Sequence, residues 1–228
     1  MKDHSLRPKL GATALTLVAV ALGMAGCASG PLAGPPIGPR YKPSNIYCQT
    51  AKFPLHIRKV ALLPVSWEKG NSEAEAGSEQ AQSLLQDELA KTKIFQVILV
   101  DREDLRRWTG RETWAAEDKL PLPLFGRLRE ESGCDAVLFC RLRSYHAYKP
   151  LVVGWHFELV DLQERTVVWS ADEVFDAGEP DVARAAQHYY SGHAGEGRGA
   201  GDTAVVLGSP RRFAQYTLSA LLSTLPER

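Results

Sequence analysis

The side chains in this sequence that come nearest to a catalytic set are His156, Glu158, Ser170 and Asp172. Residues 151–161 alternate, with Leu151, Val153, Trp155, Phe157 and Leu159 on one parity and Gly154, His156 and Glu158 among those on the other. Such alternation predicts a strand with one wet face. A short turn at Leu162 to Arg165 leads into Thr166 to Phe175, so the two segments should form an antiparallel hairpin. Its solvent side would then hold a histidine, a serine and two carboxylates, the raw material of nucleophilic hydrolysis. Ser170, however, would sit in a regular strand, without the sharp turn that exposes a catalytic serine and without an evident oxyanion hole. The expectation is no catalytic residue and no enzyme, with a hydrolase as the weakest alternative.

Other candidates resolve to bland readings. His188 and His193 are five residues apart with Gly192 between them, whereas two ligands on one helical face need a spacing of three or four. Gly195, Gly197, Gly199 and Gly201 lack both the apolar strand that enters a phosphate loop and the Lys-Ser or Lys-Thr that leaves it. Asp172, Glu173, Asp176, Glu179 and Asp181 lack the spacing and central glycine of a calcium loop. No metal site, cofactor or small-molecule substrate is therefore expected. Arg141, Arg143, Tyr145, His146, Tyr148 and Lys149 mix basic and aromatic residues at the end of a strand and in the turn after it. Arg and Tyr are enriched at protein interfaces, which makes Arg141, Arg143, Tyr145, Tyr148 and Lys149 the candidate partner-binding set.

The elements that position these residues follow from periodicity. Val60 to Val65 (VALLPV) reads as a strand buried on both faces and ending near Pro64. Ser72-x-x-Glu75 can form a capping box for a helix carrying Ala81, Leu84, Leu85 and Leu89. Phe95 to Val100 is a second apolar strand, and Asp101 caps a short helix through Leu105 to Trp108. Strand, helix, strand implies a parallel pair with a right-handed crossover. Leu124, Phe125 and Leu128 mark another helix ended by Gly133, and Asp135 to Ser144 is a third strand. Asp181 can cap a helix with Val182, Ala185, Ala186 and Tyr189, while Ser209 and Pro210 open a last helix with Ala214, Leu218, Leu221, Leu222 and Leu225 inward, ended by Pro226. Val167, Trp169 and Ala171 share a parity that should face helices. The fold class is α/β: a single mixed sheet of about five strands packed with amphipathic helices, parallel at its start and antiparallel in the hairpin.

With 228 residues, 44% hydrophobic and 24% charged, the chain is sized for one globular domain. Lys2, Arg7 and Lys9 precede the uncharged run Gly11 to Gly26, which is shorter than the roughly 20 residues a spanning helix needs. Small residues crowd its end, as signal peptidase requires. Removing residues 1–26 leaves 24 basic against 26 acidic residues, so no nucleic-acid partner is expected. Residues 30–43 hold five prolines and three glycines in fourteen positions, the composition of a semi-extended linker. The expected organisation is a signal peptide over 1–26, a tether over 27–45, and a domain over 46–228 with a flexible glycine-rich loop at 191–209. Cys48, Cys134 and Cys140 are odd in number for an oxidising compartment; Cys134 and Cys140 are too far apart along one strand to pair, Cys48 is free to pair with either, and Cys140 is by default a small buried hydrophobe.

Met24-Ala25-Gly26-Cys27 resembles the bacterial lipobox. The resemblance implies cleavage before Cys27 and acylation of that residue, and two or three acyl chains make a stable membrane anchor. In that class an Asp after the cysteine favours the inner membrane of a Gram-negative cell; Ala28 stands here, which implies the outer membrane with the domain in the periplasm. Further along, VALLPV, KTKIFQVILVDREDL, ESGCDAVLFCRLRSY and FELVDLQERTVVWSADEVFD, over about residues 58–176, resemble the lipoprotein superfamily of the curli secretion channel subunit and the peptidoglycan-synthase activator. The motifs that carry the resemblance are structural. It implies a mixed α/β domain acting as a protein-interaction or adaptor module on a periplasmic or envelope protein, such as a peptidoglycan synthase, with an oligomeric secretion-channel subunit as the alternative. Only residues 151–161 alternate at the length a barrel strand needs, which disfavours the channel.

Overall fold

The apolar run at Val60 to Val65 organises the molecule as seen in a computed structural model, which describes residues 41–193 and 205–228. The elements are β1 (Ile46–Cys48), β2 (Lys59–Leu62), β3 (Ser66–Trp67), α1 (Ser72–Thr92), β4 (Gln96–Leu99), α2 (Arg102–Thr109), α3 (Leu124–Ser132), β5 (Ala136–His146), β6 (Val152–Asp161), β7 (Val167–Asp176), α4 (Pro180–His193) and α5 (Pro210–Leu222). They build one mixed sheet in the order β1-β7-β6-β5-β2-β4, with β3 also pairing β5 beyond Pro64. The sheet has seven strands rather than about five. The two additional ones, β1 and β3, have three and two residues, too few for any periodicity to show.

β2 pairs in parallel with β4 and β6 pairs antiparallel with β7, as the strand patterns predict; β5 joins the two halves, parallel to β2 and antiparallel to β6. Val60, Leu62 and the helix-facing residues of β5, β6 and β7 join α1, α4 and α5 in one core. Ala61, Leu63, Val137 and Phe139 join Leu105 of α2 and Leu124 and Leu128 of α3 in a second core on the other face. That double burial is why the run lacks alternation. Helices α2 and α3 cover only β4, β2 and the start of β5, reaching β6 and β7 no further than Val160 and Val167. The remainder of that face is left to solvent and polar side chains.

Local chemistry explains the ends of the elements. Asp101 accepts from the Asp104 N–H and Ser209 from the Arg212 N–H, the expected caps. Gly133 ends α3 at φ 60°, a conformation that favours glycine. The cap of α1 is Asn71, whose side chain accepts from the Ala74 N–H, so Ser72 is already helical and the capping box does not form. Helix α4 starts at Pro180, which leaves Asp181 in its first turn instead of at its cap.

Two bulges alter the expected faces. The β5–β6 register slips between Leu142 and Ser144, which inverts the parity of everything after it. Tyr145 therefore points toward α1, 8% exposed, and shares no face with Arg141 and Arg143. The β6–β7 register slips between Val160 and Leu159, so Val167 packs on the α2–α3 side while Trp169 and Ala171 face α5. Trp155 and Trp169 are fully buried, and their indole N–H groups donate to Thr217 Oγ1 at 2.8 Å and Thr224 Oγ1 at 3.1 Å. All three cysteines described are free: Cys134 and Cys140 buried, Cys48 exposed on β1. Residues 41–45, expected to lie in the tether, are held by the fold. Glu173 accepts from Tyr41 OH, the Ser44 N–H and the Asn45 N–H, while the Tyr41 ring packs edge-on against Phe175 at 5.5 Å. Among the described residues no helix is long and apolar enough to cross a membrane.

Candidate functional site

The uncovered half of the sheet gathers the charged residues of three neighbouring strands. Arg141 pairs with His156 across β5–β6, His156 with Asp172 and Glu158 with Ser170 across β6–β7, and Tyr47 with Ser170 across β1–β7. Period-two alternation puts all of these on one face. The loop between α2 and α3 adds Glu117 and Asp118, brought close because Trp114 is buried in the second core and Asp118 accepts from the Ala115 N–H.

His156 is the centre of this cluster. Its side chain is 12% exposed; Nδ1 lies 3.2 Å from Asp172 Oδ2, and Nε2 lies 3.3 Å from Glu158 Oε1 and 3.6 Å from Glu117 Oε1. The hydrogen bond to Glu158 raises its pKa above the ordinary histidine value. Burial opposes that shift, Glu117 and Asp172 reinforce it, and Arg143 subtracts from it. Arg143 bridges Glu117 at 3.2 Å and Asp172 at 3.1 Å, and Arg141 reaches Glu117 and Asp118 at 3.5 Å each. Arg111 completes the set through Asp118 at 3.2 Å.

This geometry bears on the serine–histidine–acid reading. The four residues do share one face, as the alternation predicts. Both ring nitrogens of His156 are engaged by carboxylates, no hydrogen bond joins the ring to Ser170, and the raised pKa favours the imidazolium. A general base needs a free nitrogen within reach of the nucleophile's proton. What the cluster offers is a fixed, two-signed surface flanked by exposed Tyr47 and Val174, 52% and 50% accessible. No group of three or more His, Cys, Asp or Glu among the described residues is arranged to hold a metal ion.

Of the partner-binding candidates, Arg141 and Arg143 stand together on this face. Tyr145 is turned into the core by the bulge, and Tyr148 and Lys149 are exposed in the turn between β5 and β6. Cys27, the side chain of His193 and the glycines at 195–201 lie outside the described residues. Sequence reasoning did not find Glu117 and Asp118, since two acids in a loop carry no spacing that assigns them to a strand face.

No protein-family model matches the chain, and no curated protein matches its sequence. Solved structures do resemble it. The PelC dodecamer from Paraburkholderia phytofirmans is 17% identical with a TM-score of 0.41, over 80% of this chain and 96% of that one. Lipoprotein GNA1162 from Neisseria meningitidis is 13% identical with a TM-score of 0.40, over 61% and 99%. The LpoB C-terminal domain from Escherichia coli is 17% identical with a TM-score of 0.35, over 51% and 81%. Activity does not transfer along likenesses of fold at this level.

Proposed function

We propose that this chain is a non-enzymatic lipoprotein, anchored in the outer membrane through acylated Cys27, whose α/β domain binds an envelope protein in the periplasm through the uncovered half of its sheet. The observation that carries the binding role is that bare face: fixed charges of both signs at its centre, accessible Tyr47 and Val174 at its flanks, and no helix of the described residues over it. An interface of this composition gains specificity from charge complementarity and affinity from its aromatic and aliphatic contacts. The anchor rests on the lipobox-like Met24-Ala25-Gly26-Cys27, and the proline-rich stretch after it supplies reach.

The test places a photo-crosslinking amino acid at Tyr47 or Val174 in living cells, with Glu130 on α3 as the control position. One protein adduct shared by Tyr47 and Val174, missing from Glu130 and weakened by Arg143→Ala, supports the reading. Adducts equal at all three positions overturn it, as does ester or amide hydrolysis abolished by Ser170→Ala. A defined ring of the purified full chain in detergent, with crosslinks only between copies, would replace it with an oligomeric assembly. Cys27→Ala is expected to abolish lipid labelling and release the protein from the membrane fraction.

A further inference from the structure

A cleft of about 730 Å³ opens on the side of the sheet away from the charged face, between the C-terminal end of α1, the C-terminal part of α4, and α5 with the residues after it. Its volume is in the range of small-ligand sites. Glu88 lies in its wall. This glutamate defies two rules at once: it is 4% exposed, and it sits near the C-terminal end of a helix, where the macrodipole disfavours negative charge. A carboxylate buried this far is tolerated only where it is paired and hydrogen-bonded.

The neighbours of Glu88 define what it can hold. Its Oε1 accepts from Lys91 Nζ at 2.5 Å and from Gln215 Nε2 at 2.9 Å, while Tyr190 OH lies 3.0 Å from Gln215 Oε1. These bonds fix the orientation of the Gln215 amide and use one carboxylate oxygen. Among the described residues no donor is bonded to Oε2, and Lys91, whose side chain is 57% exposed, has ammonium protons to spare. The cleft thus presents adjacent acceptors and donors: a held carboxylate and amide, and the Lys91 ammonium beside them. Tyr189 and Tyr190, whose rings meet edge-to-face at 5.0 Å, add aromatic surface, Ile94, Leu222 and Leu225 add apolar surface, and the lining also carries Lys93, Arg228 and the acidic Glu227.

We infer that this cleft is a saccharide-binding site. A pyranose matches it group by group: vicinal hydroxyls both donate, to Glu88 Oε2, and accept, from Lys91 and Gln215, while the C–H face of the ring covers a tyrosine. Lys93 and Arg228 suit a sugar carboxylate, and Glu227 suits a further hydroxyl donor. An apolar ligand would leave Glu88 Oε2 buried and unpaired, and a simple anion would oppose it. The site shares no residue with the docking face, so each stands or falls separately.

Saturation-transfer NMR on the full chain in detergent micelles tests it, with tri-N-acetylchitotriose and trigalacturonate as separate probes. Transfer to the ring protons of at least one probe is expected, saturating at a Kd of about 1 mM or tighter. Glu88→Gln should weaken it at least tenfold, Ser219→Trp should abolish it by filling the cleft, and Arg143→Ala on the other face should leave it unchanged. Trigalacturonate alone would assign Lys93 and Arg228 to the carboxylate, and chitotriose alone would assign recognition to hydroxyl and acetamide groups; either supports the inference. No saturable transfer from either probe at about 20 mM overturns it, as does transfer that survives Ser219→Trp. Should Glu88→Gln fail to fold, Ser219→Trp decides alone.

Discussion

The bond between Trp155 and Thr217 joins the middle of the sheet to the last helix, and its contribution can be worked out before it is measured. Both residues are fully buried. Thr217 Oγ1 donates its proton to Ala214 O at 2.8 Å, which leaves its lone pairs to accept the indole N–H, also at 2.8 Å. Thr217→Val keeps the shape and strands that N–H, at a cost of about 1 to 3 kcal/mol. With a urea slope of about 2 kcal/mol per M, the denaturation midpoint should fall by about 0.5 to 1.5 M. Trp155→Phe removes the donor and some packed volume. Once it is made, Thr217→Val no longer leaves a stranded donor, so Thr217→Val should cost less in that background than in the wild type. Urea titrations of the wild type, both single variants and the double variant give the coupling directly, expected at about 1 kcal/mol or more. Costs that add within about 0.3 kcal/mol would mean that the indole finds water when Thr217 is lost, and that this part of the interface between sheet and helix is wet.

Three other outcomes follow from the same structure. His156 has a raised folded pKa, so its contribution is complete below the unfolded value of about 6.5 and is lost as pH rises through the raised value; the stability difference between wild type and His156→Gln, measured across pH 5 to 9, should shrink with increasing pH. Asp161 behaves oppositely: burial pushes its pKa up, but the Glu164 N–H, His56 and the Gln163 N–H outweigh burial and lower it, so its contribution is present above about pH 4 and lost as pH falls through the lowered value. Asp161→Ala should cost about 1 to 3 kcal/mol at pH 7 in thermal melts, whereas Asp161→Asn, which keeps an acceptor for both backbone N–H groups, should cost under about 1. Gly77→Ala should destabilise despite its helix propensity, because the new Cβ would come within 2.8 Å of the Tyr145 ring; in a Tyr145→Ala background the same change should stabilise by about 1 kcal/mol.

Where an element buries a repeated pattern, its place was legible in the sequence. The hairpin of β6 and β7 follows from the alternation around Trp155 and Phe157, and the parallel start follows from two apolar runs flanking one helix. Caps at Asp101 and Ser209 were legible because a short polar side chain before an apolar period has one favourable use. The bulge after Leu142 was not, since a single inserted residue leaves no trace in composition, and it moved Tyr145 from the supposed docking surface into the core. Glu117 joins His156 only through the tertiary placement of a loop. Glu88 read as one more charge on an amphipathic helix, and nothing local signals that α5 buries it.

The Glu173 clasp on residues 41–45 also has a mechanical meaning. If the chain ahead of Tyr41 is fixed to a membrane and the sheet face is held by a partner, tension enters the domain at this clasp. The first bonds to carry load are one carboxylate's three hydrogen bonds and the Tyr41–Phe175 ring contact, followed by the three-residue strand β1 at the rim of the sheet. They form a fuse: under a pull they part before the β5–β6–β7 meander does, lengthening the leash by the residues released while the binding face keeps its shape.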